Sequence, residues 1–241
     1  MLSSEVLEHF EKVITAAVLE KYDREKAFAG TPEIYARAFQ QISNIWTWCE
    51  AVRPLVFSKR LATIAGKLMG TDSVRLYHDQ ALYKEAGGGF TPWHCDQVYW
   101  PLSSEQTVTV WIPFQHTTLE MGPLAFAEGS HLRHVGRDLI ISEESEKIVS
   151  HNVKDLPYLC TAFDLGEVSF HYGYTFHNAG PNNSQQPRRV MTMIYMDGAM
   201  RVKTPTSQSQ QNDLKNWLPG LSVGDLCASE LNPILTEKPW G

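Results

Sequence analysis

From residue 73 onward the chain repeats one texture: short runs rich in valine, threonine, tyrosine and isoleucine, cut apart by glycine, proline and asparagine. SVRLYHDQALYK, QTVTVWIPFQ, GEVSFHY and RRVMTMIYM read as strands. Parallel strands need long crossovers, usually helical, and no such pattern is read between these runs. Several short, irregularly spaced strands without crossovers restrict the chain to antiparallel sheets, as in a double-sheet sandwich or jelly roll.

The first third has a different period. SSEVLEHFEKVITAAVLEKYD sets Leu7, Phe10, Ile14, Ala17 and Val18 on one helical face, with Ser3 or Ser4 as N-cap. Thr31-Pro32-Glu33 predicts a second helix start, and SKRLATIAGKLMG predicts a helix from Ser58 to a terminating Gly70. The segment after residue 200, with KTPTSQSQQND and LNPILTEKPWG, is polar and proline-punctuated and predicts a wrap over the core. At 241 residues one domain is the expectation: helical over about 1–70, β over about 71–200, wrapped by about 201–241.

Composition narrows the function classes. The net charge of −6 is modest and dispersed, which argues against nucleic acid or an anionic membrane as partner and favours a small-molecule substrate. No window approaches the roughly 18 apolar residues that span a bilayer. Four cysteines, Cys49, Cys95, Cys160 and Cys227, are widely spaced, without a CxxC pair, so they read as reduced thiols in a cytoplasmic setting.

GGGFTPWHCDQVYWP contains the first chemical signal. On an extended segment side chains alternate, so His94 and Asp96 point the same way and Cys95 points away. With nine histidines in the chain, one His-x-Asp triplet is weak evidence by itself. FHYGYTFHNAGPNNSQQPRRVMTMIYM strengthens it, with His177 ending one strand-like run and Arg188 opening the next. Two imidazoles and a carboxylate form the facial triad of non-haem Fe(II) oxygenases. An arginine eleven residues after the second histidine can neutralise a carboxylate reaching out from the iron, since guanidinium pairs bidentately and stays charged.

These residues resemble the phytanoyl-CoA dioxygenase family of Fe(II)/2-oxoglutarate-dependent oxygenases. Its motifs match Trp93-His94-Cys95-Asp96, Tyr99, Pro101, Trp111, MGPLAFAEGSH and the stretch from His177 to Arg189 in order and spacing, over roughly residues 70–200. The resemblance implies a double-stranded β-helix, a cupin-like jelly roll with N-terminal helices. It implies that His94, Asp96 and His177 bind Fe(II), that Arg188 pairs with the far carboxylate of 2-oxoglutarate, and that Gln80 and Trp111 contact this cosubstrate. The implied reaction consumes O2 and 2-oxoglutarate, releases succinate and carbon dioxide, and hydroxylates an unactivated C–H bond. Retention of Asp96 favours hydroxylation over halogenation, because related halogenases lack that carboxylate. Ala179 departs from the serine common two residues after the second histidine, and the DGY-type N-terminal strand is missing.

Other residues carry plainer expectations. Trp93, Tyr99, Trp100 and Lys84 are candidate substrate contacts, set against core packing for the aromatics and a solvated strand end for Lys84. Arg189 faces opposite to Arg188 and reads as a surface or inter-sheet charge. His171 reads as a core or supporting histidine, and His78 as a surface or local hydrogen-bonding residue. A metal-dependent hydrolase and a non-catalytic small-molecule binder on the same barrel are the rival functions. The hydrolase has no use for the arginine.

Overall fold

The structure, a computed structural model, describes residues 2–21 and 40–237. The helix start read at Thr31-Pro32-Glu33 lies outside the described residues. Helix α1 spans Ser4–Lys21 and buries Leu7, Phe10, Ile14, Ala17 and Val18, the stripe read from its period. Helix α2 spans Lys59–Met69; the Ser58 hydroxyl accepts from the Leu61 amide, and Gly70 ends the helix at φ 67°, a left-handed position that glycine tolerates. No described helix is long and apolar enough to cross a membrane.

The rest is mainly β. Strands β1 (Gln40–Ser43), β2 (Ser73–Lys84), β4 (Thr107–Pro113), β7 (Ser169–Tyr172), β9 (Arg188–Asp197) and β10 (Ile234–Glu237) form one sheet, ordered β1-β2-β9-β4-β7. The long β2 carries β1 and β10 end to end on one edge, at Gln80–Tyr83 and Ser73–Arg75. A four-stranded sheet holds β3 (Thr91–His94), β8 (His177–Ala179), β5 (Leu124–Ala127) and β6 (Tyr158–Cys160), in that order. Every strand pair is antiparallel, in accord with the absence of parallel crossovers.

Strand alternation gives the large sheet two unlike faces. Val108, Val110 and Ile112 of β4, Met191, Met193 and Tyr195 of β9, and Ala81 and Tyr83 of β2 pack with Leu7, Ile14, Leu61 and Ala65 in one apolar cluster. Each fully buried aliphatic side chain there contributes about 1.5–3 kcal/mol. The opposite face carries Gln80, Lys84, Thr109, Trp111, Arg188 and Thr192. The helices thus take the sheet's apolar side and leave a polar wall facing inward.

Three elements differ from expectation. A strand, β1, and short 3-10 turns occupy part of the region read as helical. Helix α3 (Glu143–Val153) intervenes between β5 and β6; its capping box, Ser142 with Ser145, is a local start signal that the strand-rich surroundings obscured. It joins antiparallel neighbours and packs on β3, so it is not a parallel crossover. Within the C-terminal wrap, helix α4 (Gln208–Trp217) starts at Ser207, whose hydroxyl accepts from the Gln210 amide.

Candidate active site

Pairing of β3 with β8 sets His94 directly opposite His177, with ring centroids 4.1 Å apart. Cys95 stays extended, φ −124° and ψ 145°, and the chain then enters a 3-10 turn at Asp96. Alternation therefore survives through Asp96. Its carboxylate turns toward the two histidines, while Cys95 is fully buried on the other face among Val149, Val153 and Phe176.

One ligand atom from each of His94, Asp96 and His177 falls within 4.8 Å of the others. Asp96 Oδ1 lies 3.7 Å from Nε2 of both histidines, too far for hydrogen bonds and suited to three donors around one ion. The other ring nitrogens are engaged: His94 Nδ1–H donates to the Pro92 carbonyl at 2.7 Å and His177 Nδ1–H to that of Thr175 at 2.9 Å. Those bonds fix the tautomer that leaves each Nε2 free to ligate and hold the rings in orientation. Burial lowers the basicity of both imidazoles. Burial alone would raise the Asp96 carboxyl, but His177, His171 and His94 around it outweigh that and hold it below the usual carboxylate range. The donor set fits a divalent transition metal.

Asp96 is braced from the large sheet. Thr109 donates its hydroxyl to Asp96 Oδ2 at 3.3 Å, and His171, paired with Thr109 across β4 and β7, brings Nε2 to 3.5 Å from the same oxygen. His171 thus supports the site. Neither of its ring nitrogens, both buried, has a hydrogen-bond partner among the described residues.

The polar wall continues in cross-strand rows. Gln80, Thr192 and Trp111 are neighbours across β2, β9 and β4; Lys84 and Arg188 pair at one end of β2 and β9. Arg188 is 2 % exposed, its guanidinium carbon lies 5.5 Å from the centre of the Trp111 ring, and it donates to the Gly122 carbonyl. Its Nε is buried with no partner among the described residues. Burial lowers its basicity to about 10, which leaves it charged at neutral pH. Arg189 faces the other way and pairs with Glu11 of α1 at 3.0 Å.

Gly122 holds this end together. Its φ of 63° is left-handed, and a Cβ there would fall on the Gly180 carbonyl, which itself accepts from Lys84 Nζ at 2.8 Å. Gly122→Ala is expected to lose about 1–3 kcal/mol from its backbone conformation, with the steric conflict added. Because the Arg188 guanidinium rests on the Gly122 carbonyl, the substitution is also expected to disturb the placement of Arg188; urea titration of the variant against wild type measures the stability loss.

These groups line one cavity of about 480 Å³ between the sheets. His94, Asp96, His177, Arg188, Gln80, Trp111, Tyr99 and Trp100 all reach it. Two expected substrate contacts do not lie on its lining. Trp93 precedes His94 on β3 and so faces outward, packing with α3 and lying edge-on to Tyr158 at 5.9 Å. Lys84 is fully buried behind the wall, neither a solvated strand end nor a lining residue, and burial with Arg188 beside it lowers its amine to about 6. Conversely, His78 is 2 % exposed and lines the cavity, as do Asp213 and Trp217 of α4. Position on β2's inward face, two residues from Gln80, was the available signal for His78. For Asp213, a polar tail concealed it.

Three candidate metal ligands and a buried arginine line one cavity between antiparallel sheets. Residues 4–190 match the phytanoyl-CoA dioxygenase (PhyH) family, and the chain belongs to it. It is 26% identical over 183 residues to a probable alpha-ketoglutarate-dependent hypophosphite dioxygenase of Stutzerimonas stutzeri, covering 73% of this chain and 62% of that one. It is 28% identical over 144 residues to a methylphosphonate hydroxylase of Gimesia maris, covering 60% and 53%. The chain thus spans less than two thirds of the length of these curated relatives. Among solved structures, the carbocyclase SnoK of nogalamycin biosynthesis superposes with a TM-score of 0.80 at 24% identity, covering 98% of this chain and 89% of that one. The epimerase SnoN, in complex with Fe3+, alpha ketoglutarate and nogalamycin RO, gives 0.78 at 22% identity, covering 98% and 91%. Both share the fold.

Proposed function

We propose that this protein is a non-haem Fe(II)/2-oxoglutarate-dependent dioxygenase that hydroxylates an unactivated C–H bond of a small molecule. On this reading the chain forms one domain, the two sheets make a double-stranded β-helix of the cupin-like jelly-roll type, and the enzyme works in the cytoplasm. The observation that carries the reading is the triad and the arginine on one cavity: one ligand atom from each of His94, Asp96 and His177 falls within 4.8 Å of the others, and Arg188 lines the same cavity.

His94 and His177 hold Fe(II) through Nε2, and Asp96 through one carboxylate oxygen while Thr109 steadies the other. Arg188 takes the far carboxylate of 2-oxoglutarate, and Gln80 and Trp111 flank the cosubstrate. Iron with the keto acid supplies the oxidising chemistry: O2 is consumed, 2-oxoglutarate becomes succinate and carbon dioxide, and the substrate gains a hydroxyl. The protein orients the partners and keeps water out. Leu82, Leu124, Ile140 and Ile141 supply apolar lining for that exclusion. A hydrolase or a simple binder leaves the buried Arg188 without an anionic partner.

The phosphorus substrates in the relatives' names do not carry over. Arg188 is the one lysine or arginine on the cavity lining among the described residues, and the cosubstrate engages it. Anaerobic addition of Fe(II) and 2-oxoglutarate to the metal-free protein is expected to produce the visible charge-transfer band of a chelated keto acid at one equivalent of each. A titration without that band overturns the reading.

A further inference from the structure

The cavity lining also takes in residues of β2 and α4 away from Arg188. Along the inward face of β2, Lys84 pairs with Arg188 at one end and His78 lies six residues away, about 20 Å at the rise of a strand. Gln80, Thr192 and Trp111 occupy the middle, on the wall shared with the cosubstrate end. At the His78 end α4 contributes Asp213 and Trp217 to the lining.

That end is aromatic with a single carboxylate. Trp217 stacks on His78, with centroids 4.9 Å apart and planes at 28°; Trp100 meets Tyr77 edge-on at 5.5 Å, and Tyr99 completes the lining. Tyr99 is held by its hydroxyl, which accepts from the Ile141 amide at 2.9 Å. Tyr77 donates its hydroxyl to Asp213 Oδ2 at 3.2 Å. Burial raises the Asp213 carboxyl to about 7 despite hydrogen bonds from Tyr77 and Trp217. When ionised, this carboxylate is withdrawn from water and served by neutral donors alone, so a cation beside it would stabilise the charged form. No lysine or arginine on the cavity lining among the described residues is left to pair with it once the cosubstrate takes Arg188.

Resting on the dioxygenase reading, we propose that the substrate is a small amine whose protonated nitrogen pairs with Asp213 between the faces of Trp217, Trp100 and Tyr99. An ammonium suits both parts of this wall, since it donates to the carboxylate and is attracted to the aromatic faces. Anchored there, the molecule extends toward Asp96 and the two histidines and presents a C–H bond remote from its nitrogen. The overall conversion balances as R–H plus O2 plus 2-oxoglutarate to R–OH plus succinate plus carbon dioxide. The site thereby differs from one built for a phosphorus oxyanion, whose negative charge would be repelled by an ionised Asp213.

The test uses the full chain and four probes: 2-phenylethylamine, 2-phenylethanol, phenylacetate and methylphosphonate. Binding to the metal-free protein is read by calorimetry and tryptophan emission, and to the anaerobic Fe(II)–2-oxoglutarate complex by displacement of its visible band. The amine is expected to bind about tenfold or more tightly than each of the others, and Asp213→Asn to remove that preference. Equal binding of amine and alcohol, or tighter binding of phenylacetate or methylphosphonate, overturns the assignment. Should Asp213→Asn fail to fold, the ranking on the wild-type protein decides alone. A normal keto-acid band without amine preference defeats the amine assignment and leaves the dioxygenase standing. Absence of the band defeats the dioxygenase, whatever the probes do.

Discussion

On the proposed reading, His177→Ala is expected to abolish the visible keto-acid band and reduce succinate release to background, because it removes one of two imidazoles from three candidate metal ligands. Loss of an outer hydrogen-bond partner already weakens a metal site by about 10–100-fold, so loss of a ligand exceeds that range. The structural effect is smaller. The ring sits 4 % exposed, its Nδ1–H held by the Thr175 carbonyl, and truncation opens a pocket beside His94 and leaves that carbonyl without its donor. Thermal unfolding of the metal-free variant is therefore expected to shift only modestly, and equilibrium dialysis to find Fe(II) no longer retained. A variant that binds iron and gives an unchanged band removes His177 from the site.

Arg188→Ala is expected to raise KM for 2-oxoglutarate by about 100-fold or more, with a smaller change in kcat at saturating cosubstrate. The estimate follows from the cost of breaking a buried charged pair, about 3–5 kcal/mol, where tenfold in affinity is about 1.4 kcal/mol. Arg188→Lys recovers part of the loss, since an ammonium keeps the charge and lacks the planar fork. Lys84 does not substitute: its Nζ is committed to the Gly180 carbonyl, and its basicity is lowered to about 6. Steady-state kinetics with varied 2-oxoglutarate separate the two constants. An unchanged KM with full activity favours the hydrolase instead, for which a keto-acid anchor has no purpose.

Local sequence signals were legible wherever one short-range rule governs a position. The Ser58 cap and Gly70 stop bounded α2, and the apolar stripe of α1 was readable residue by residue. Alternation placed Cys95 behind the triplet and separated Arg188 from Arg189. The same alternation, extended one residue back, sends Trp93 away from the cavity and into the apolar packing that stood as its alternative reading. Lys84 looked like a strand end in solvent because three glycines follow it. Burial by Thr91, Gly180 and Arg188 depends on segments 7, 96 and 104 residues away.

What the sequence determined by itself was the chemistry on offer: two histidines, an aspartate and an arginine in the order and spacing of one oxygenase family, on runs whose period requires strands. Side-chain period and motif spacing are written along the chain, so they can be read there. Tertiary structure decided which groups share a space. The pairing of β3 with β8 sets His94 against His177, and the β2–β9–β4 rows bring Gln80, Thr192 and Trp111 abreast. It also laid a polar C-terminal helix over the far end of the cavity, turning Asp213 and Trp217 from apparent surface residues into lining. Such contacts join segments far apart in the chain, and their energy comes from burial and register, which no local window of sequence contains.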